Sequence, residues 1–217
     1  MTLKRKSIYY TTLTCISVGF ILYALIDNYV IDPDAADFLS RKTGLSRELR
    51  LPVWLTVMHV HVFFACLAMA AGLVNFSDRI FRHGRKLHRI NGYIYLVSVL
   101  AVVATSGYMA PYATGGKISG IGFNALNMIW LIITVTAVVR AKKKRIIQHR
   151  NWMIRSYAFC YTNLLIHLTV ALLHDGFGLD YAASYTVGVY AAIVLLSIVP
   201  NVIIRQGLSP GSHPYRN

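Results

Sequence analysis

The chain has 217 residues, 56% of them hydrophobic and 14% charged, with a mean hydropathy of +0.51 and a formal charge of +14. Those values exclude an ordinary water-soluble domain and predict an all-α polytopic membrane bundle. The sequence carries no C-x-x-C pair, Walker loop, G-x-G-x-x-G, G-x-S-x-G or H-E-x-x-H, so the common soluble chemistries lack their signatures.

In chain order, apolar runs long enough to span a bilayer fall at about six places: 8–26, 52–76, 91–110, 121–140, 156–174 and 183–204. Strict alternation of apolar and polar residues is absent, which favours helices over a barrel. The first run follows "KRK" but no small-x-small cleavage site closes it. It reads as an uncleaved signal anchor. Residues 1–50 then form that anchor and an outward loop, 51–205 the membrane bundle, and 206–217 a cytoplasmic tail. In the loop, Asp-Pro and Thr-Gly mark turns and "SREL" opens a short interfacial helix.

Charge orients the spans. Seventeen basic residues, from Lys4 through the loops at 79–89 and 140–155 to Arg216, share one side with a single acid, Asp78. The other side has five basic residues and seven acids, among them Asp27, Asp32, Asp34, Asp37 and Asp175. By the positive-inside rule both termini are cytoplasmic, as expected of a multi-pass protein of a cell inner membrane. The surplus charge then serves topology and anionic headgroups at the cytoplasmic face, and no nucleic-acid partner is implied. Cys15, Cys66 and Cys160 lie in apolar runs and read as structural thiols.

Polar groups inside a bilayer are functional candidates because they are costly there. In the fifth run Asn163, His167 and His174 form one helical stripe with Cys160; in the second, His59 lies at the same depth as His167. His61 points to another side of its helix. Asn127, three residues after Asn124 on the fourth run, is placed to support such a site. Two imidazoles at one depth on different helices suit axial ligation of a b-type haem, with His59 and His167 as the metal ligands. Spacing alone favours plain interhelical hydrogen bonding over ligation. No span looks broken in mid-membrane and no carboxylate offers a proton relay, so transport is not indicated.

A second pair opens the third and fifth runs: His88 and Arg89 in "LHRINGYIY", His149 and Arg150 in "QHRNWMIRSY". Free N–H groups at helix starts, beside Arg, attract anions such as lipid phosphate, a quinone oxygen or a haem propionate.

These two stretches, written His-Arg-x-x-Gly-x-x-Tyr and His-Arg-x-Trp-Met-x-Arg-Ser-Tyr, resemble a family of bacterial multi-pass membrane proteins that is a domain of unknown function. The resemblance covers roughly residues 55–200, including "SIVPN". It marks His88, Arg89, Gly92, Tyr95, His149, Arg150, Trp152, Met153, Arg155, Ser156 and Tyr157. In architecture alone the chain also resembles cytochrome b561-like haem bundles, but the one-helix histidine spacing used there for stacked haems is absent. Two expectations follow. One is a haem-binding or quinone-interacting redox protein, with a quinone or redox protein as partner, Asn163 and Asn127 supporting the ligands, and Arg89 and Arg150 clamping an anion. The other is a non-catalytic accessory, assembly or anionic-lipid-binding protein.

Overall fold

A computed structural model describes residues 3–42, 49–77 and 84–206. Every regular element among them is helical: α1 (Leu3–Ile26), α2 (Ala36–Ser40), α3 (Leu51–Asn75), α4 (Arg85–Met109), α5 (Gly116–Lys142), α6 (Ile146–Ala158), α7 (Thr162–Val170) and α8 (Tyr181–Arg205). Joined by short π and 3-10 turns, they make six spans long and apolar enough to cross a membrane: Ile8–Ile31, Leu51–Asn75, Arg85–Tyr112, Gly116–Lys142, Ile146–Gly176 and Tyr181–Arg205. The chain is therefore an integral, multi-pass membrane protein built of helices.

Each span contains one of the apolar runs almost entirely, and where the bounds differ the differences have physical causes. The third and fifth spans start at Arg85 and Ile146, well before the runs at 91 and 156. Lys and Arg are good helix formers whose stems lie along apolar surface, so helices continue past the point where hydropathy drops. The first span runs on as a π turn, Asp27–Ile31. The short loop helix lies at Ala36–Ser40; the "SREL" segment expected to form one falls largely outside the described residues.

Local sequence fixes the ends. Pro52 sits in the first turn of α3, where its missing N–H costs nothing. Asp180 caps α8, its Oδ2 accepting from the Ala183 N–H at 2.9 Å. Gly115, at φ +83°, turns the chain into α5; a Cβ there would meet Thr186 Oγ1 at 2.2 Å.

Consecutive spans pack as neighbours, α3 on α4, α5 on α6 and α7 on α8, with α1 lying chiefly on α3. Tyr95, Val99, Phe159, Ile166 and Val189 fill the centre. Large apolar side chains such as Leu22, Val97, Ile121, Ile132, Leu168 and Val194 stand exposed around it, as bilayer solvation requires. Six crossings leave both ends of the described chain at one end of the bundle. That basic end carries Arg85, Lys86, Arg89, Lys142, Lys143, Lys144, Arg145 and Arg205, while Asp27, Asp32, Asp34, Asp37, Asp175 and Asp180 mark the acidic end.

One span departs from the reading that none is broken. The fifth stops as an α-helix at Ala158, tightens into a 3-10 turn at Phe159–Tyr161 and resumes at Thr162, whose Oγ1 donates to the Phe159 carbonyl at 2.7 Å. Mid-span 3-10 geometry is a recurrent mark of a functional position.

Candidate functional site

The break faces a cavity of about 780 Å³, within the range of small-molecule sites. Trp54, Phe123, Trp130, Phe159 and Tyr185 supply its aromatic wall. His61, Asn127, Asn163 and His167 supply polar groups inside it, and Asp27, Asp32, Asp37, Asp175, Arg41 and Lys42 ring the acidic end. His61 of α3 and His167 of α7 thus line one cavity from different helices.

Thr105 Oγ1 lies 2.7 Å from the Ala101 carbonyl, 3.0 Å from that of Val102 and 2.9 Å from His61 Nδ1. With the Thr105 proton on the backbone, Nδ1–H donates to Thr105 and Nε2 keeps a lone pair, the state required of a hydrogen-bond acceptor or a metal ligand.

The other expected residues divide. His167 lines the cavity with its ring edge-on to Tyr23, centroids 6.2 Å apart. Asn163 lines it from the turn above the break. Asn127 is buried and donates to Ser106 Oγ at 2.9 Å, bracing α5 against α4 beside the cavity. Asn124 is exposed and lies outside the cavity lining. His59 does not join His167: it stacks on Tyr29, centroids 5.1 Å apart, away from the cavity lining, and its buried Nε2 has no hydrogen-bond partner among the described residues. Two residues along a helix means a rotation of about 200°, so only one of His59 and His61 faces inward. The missed residue had a signal. Ala65, Ala68 and Gly72, four, seven and eleven residues beyond His61, are small and mark the packed face of the span. His174 stabilises the following turn, its Nδ1 donating to the Leu179 carbonyl at 2.7 Å.

A strap closes over the acidic end. Asp32 caps α2, its carboxylate oxygens accepting from the N–H groups of Ala36 (2.8 Å) and Asp37 (3.0 Å). Phe38 then stacks on Trp54, and Arg41 lies 4.9 Å from the Tyr181 ring while pairing with Asp37 at 3.3 Å. Lys42 donates to the Tyr112 carbonyl, with its Nζ 4.6 Å from the Phe38 ring and 5.1 Å from that of Trp54. Burial pushes the Lys42 ammonium down to about 8.

At the basic end, His149 donates from Nδ1 to the Ala137 carbonyl at 2.8 Å, tying the start of α6 to α5. His88, at the start of α4, is near enough to His149 for their charges to interact. Arg89 is exposed and Arg150 half-buried. Arg155 donates from Nε to Asn201 Oδ1 at 2.9 Å and its guanidinium lies 4.8 Å from the Trp152 ring. The pattern that marked Arg155 therefore meets the "SIVPN" segment in space. Deeper in, Tyr95 donates to Ser156 Oγ (2.7 Å), Ser156 to Thr134 Oγ1 (2.7 Å) and Thr134 to the Trp130 carbonyl (2.8 Å). The order is fixed from its end, because a carbonyl only accepts. Tyr157 donates to the Met69 carbonyl at 3.1 Å. Several of the residues singled out in sequence thus join helices in the core.

Among the described residues no three His, Cys, Asp or Glu side chains cluster as a metal site, and all three cysteines are free thiols. A family model described as "Predicted membrane protein (DUF2306)" matches residues 58–204, more than half of the chain. No curated protein and no solved structure matches.

Proposed function

The chain belongs to the DUF2306 family of predicted membrane proteins, and from that premise we propose that it binds a quinone-type ring in the cavity between His61 and His167. The supporting observation is the 2.9 Å contact of His61 Nδ1 with Thr105 inside an aromatic-walled cavity, which, in the tautomer that donates from Nδ1, leaves a lone pair on Nε2. An acceptor of that kind takes a hydrogen bond from a quinol hydroxyl. Asn163 and His167, which line the same cavity, are the donors available to the opposite oxygen.

The charge at the mouth favours an uncharged ring. Four carboxylates face two cations there, Arg41 is committed to Asp37, and Lys42 to the Tyr112 carbonyl. A b-type haem would bring two further carboxylates to that end. Were haem the occupant, His61 and His167 would be the residues to hold it, in place of His59 and His167. We also place the basic end at the cytoplasmic face of a cell inner membrane, where Arg89, Lys142, Lys143 and Arg150 meet anionic headgroups.

Quinones quench tryptophan fluorescence, and Trp54 and Trp130 both line the cavity. The test is a titration of the detergent-purified protein with a short-chain benzoquinone, beside an absorption spectrum before and after dithionite. Saturable quenching without a Soret band is the expected result. A Soret band lost in His61→Ala would assign haem instead, and a featureless spectrum with no saturable quenching would sink the redox reading altogether.

A further inference from the structure

Resting on that reading of the cavity, we infer that the ligand enters sideways from the bilayer, between α1 and α7, and leaves a hydrocarbon tail in the groove there. The ligand class is thereby narrowed to a lipid-soluble ring with an alkyl or isoprenoid chain.

A groove of about 340 Å³ lies on the membrane-facing side of these two helices, with Ile16, Gly19 and Leu164 in its apolar lining. Phe20, Tyr23 and His167 line this groove and the central cavity alike. The groove therefore adjoins the proposed ring site, separated from it by three shared side chains. The described contacts of α1 are chiefly with α3. Its side-chain hydrogen bonds to the fifth span, among the described residues, come from Ser17, to Tyr161 at 2.6 Å and Tyr157 at 3.3 Å. Two residues beyond Ser17 comes Gly19, and a Cβ built there meets no atom within 4 Å. The wall between bilayer and cavity is at that point two aromatic rings and an imidazole, held by ring contacts: Phe20 to Tyr23 at 6.0 Å and Tyr23 to His167 at 6.2 Å. Side chains of this kind move aside by rotamer changes, whereas a helix-to-helix seam does not. His167, the Tyr23 hydroxyl and the Cys15 thiol are the polar groups of the groove; Ile16, Gly19, Phe20 and Leu164 make the rest of its lining apolar, and hydrocarbon is the chemistry that stretch accepts.

The experiment compares a decyl-substituted benzoquinone with its tail-less parent, using tryptophan quenching of the full chain in detergent. Gly19→Phe places a ring in the groove, and Gly107→Phe, at a second glycine with open space on α4, controls for bulk on a span surface. In the native protein the decyl compound is expected to bind more tightly than its parent. Gly19→Phe should weaken the decyl compound by about tenfold and leave the parent within about twofold, while Gly107→Phe changes neither. Equal affinity of the two quinones for the native protein overturns the inference, as does a Gly19→Phe variant that binds both normally or loses both equally. If the native protein binds neither compound, the ring site itself fails and the portal falls with it.

Discussion

Ser156 sits in a directed relay, and direction decides which substitution hurts. Tyr95→Phe removes a donor but leaves Ser156 donating to Thr134; Ser156→Ala takes away the buried Tyr95 hydroxyl's 2.7 Å acceptor and leaves it only the weakly accepting Cys160 sulfur. The first is expected to cost about 1 kcal/mol and the second about 2 kcal/mol, read as thermal unfolding midpoints in detergent. Equal losses would contradict the assigned direction. Gly72 is the other residue whose role is set by contact: a Cβ there would lie 2.3 Å from Tyr157 Cδ2, in a ring held by its hydrogen bond to Met69. Gly72→Ala is expected to lose about 2 kcal/mol, and the double variant with Tyr157→Leu to recover part of it. At this scale the sequence was informative about which residues matter and weaker on why. Tyr95, Arg155, Ser156 and Tyr157 stood out, yet a pattern of letters does not show that Ser156 joins Tyr95 to Thr134, since that depends on three helices meeting. The choice between His59 and His61 turned on helix rotation, and the stripe of Ala65, Ala68 and Gly72 was the cue that settles it.

Among the elements, the strap from Asp32 to Lys42 has a titratable clasp. When it is docked, burial holds the Lys42 ammonium at about 8; released into water, the amine returns to its ordinary value of 10.5. Below pH 8 both forms are protonated and docking bears the full desolvation cost. Between pH 8 and 10.5 the docked amine is neutral while the free one still binds a proton, so docking strengthens as pH rises. The two ring faces and the Tyr112 carbonyl favour the cation and offset part of that gain. Limited proteolysis within residues 32–42 should therefore slow from pH 7.5 to pH 9.5, and Lys42→Met should be slow at both. Faster cleavage at the higher pH would show that the cation–ring contacts dominate. The broken fifth span was illegible in advance for a plain reason. No Pro or Gly lies between Ala158 and Thr162, and the 3-10 turn is held by a Thr side chain and by packing of Phe159 against Trp130. The start of α6, conversely, was hidden by its own charges.

At the scale of the molecule, span number and helical class were legible because a bilayer imposes about twenty apolar residues per crossing and demands internal backbone pairing. The cavity was not, since its lining comes from separate spans and no single stretch of sequence carries it. The polarity of the bundle makes a prediction of its own. With the native cysteines replaced, Asp34→Cys at the acidic end should react with an impermeant maleimide in intact cells, and Lys143→Cys only after permeabilisation. The reverse pattern would invert the proposed topology and set the cavity mouth facing the cytoplasm.

The most direct measurement is the affinity of a short-chain benzoquinone for the purified protein and for two single variants, His61→Ala and His59→Ala, read by tryptophan quenching. Loss of one hydrogen bond to a buried acceptor predicts binding weakened by about tenfold in His61→Ala and unchanged in His59→Ala. Equal affinities in all three proteins, or a loss confined to His59→Ala, would contradict the assignment of the cavity as the ring site.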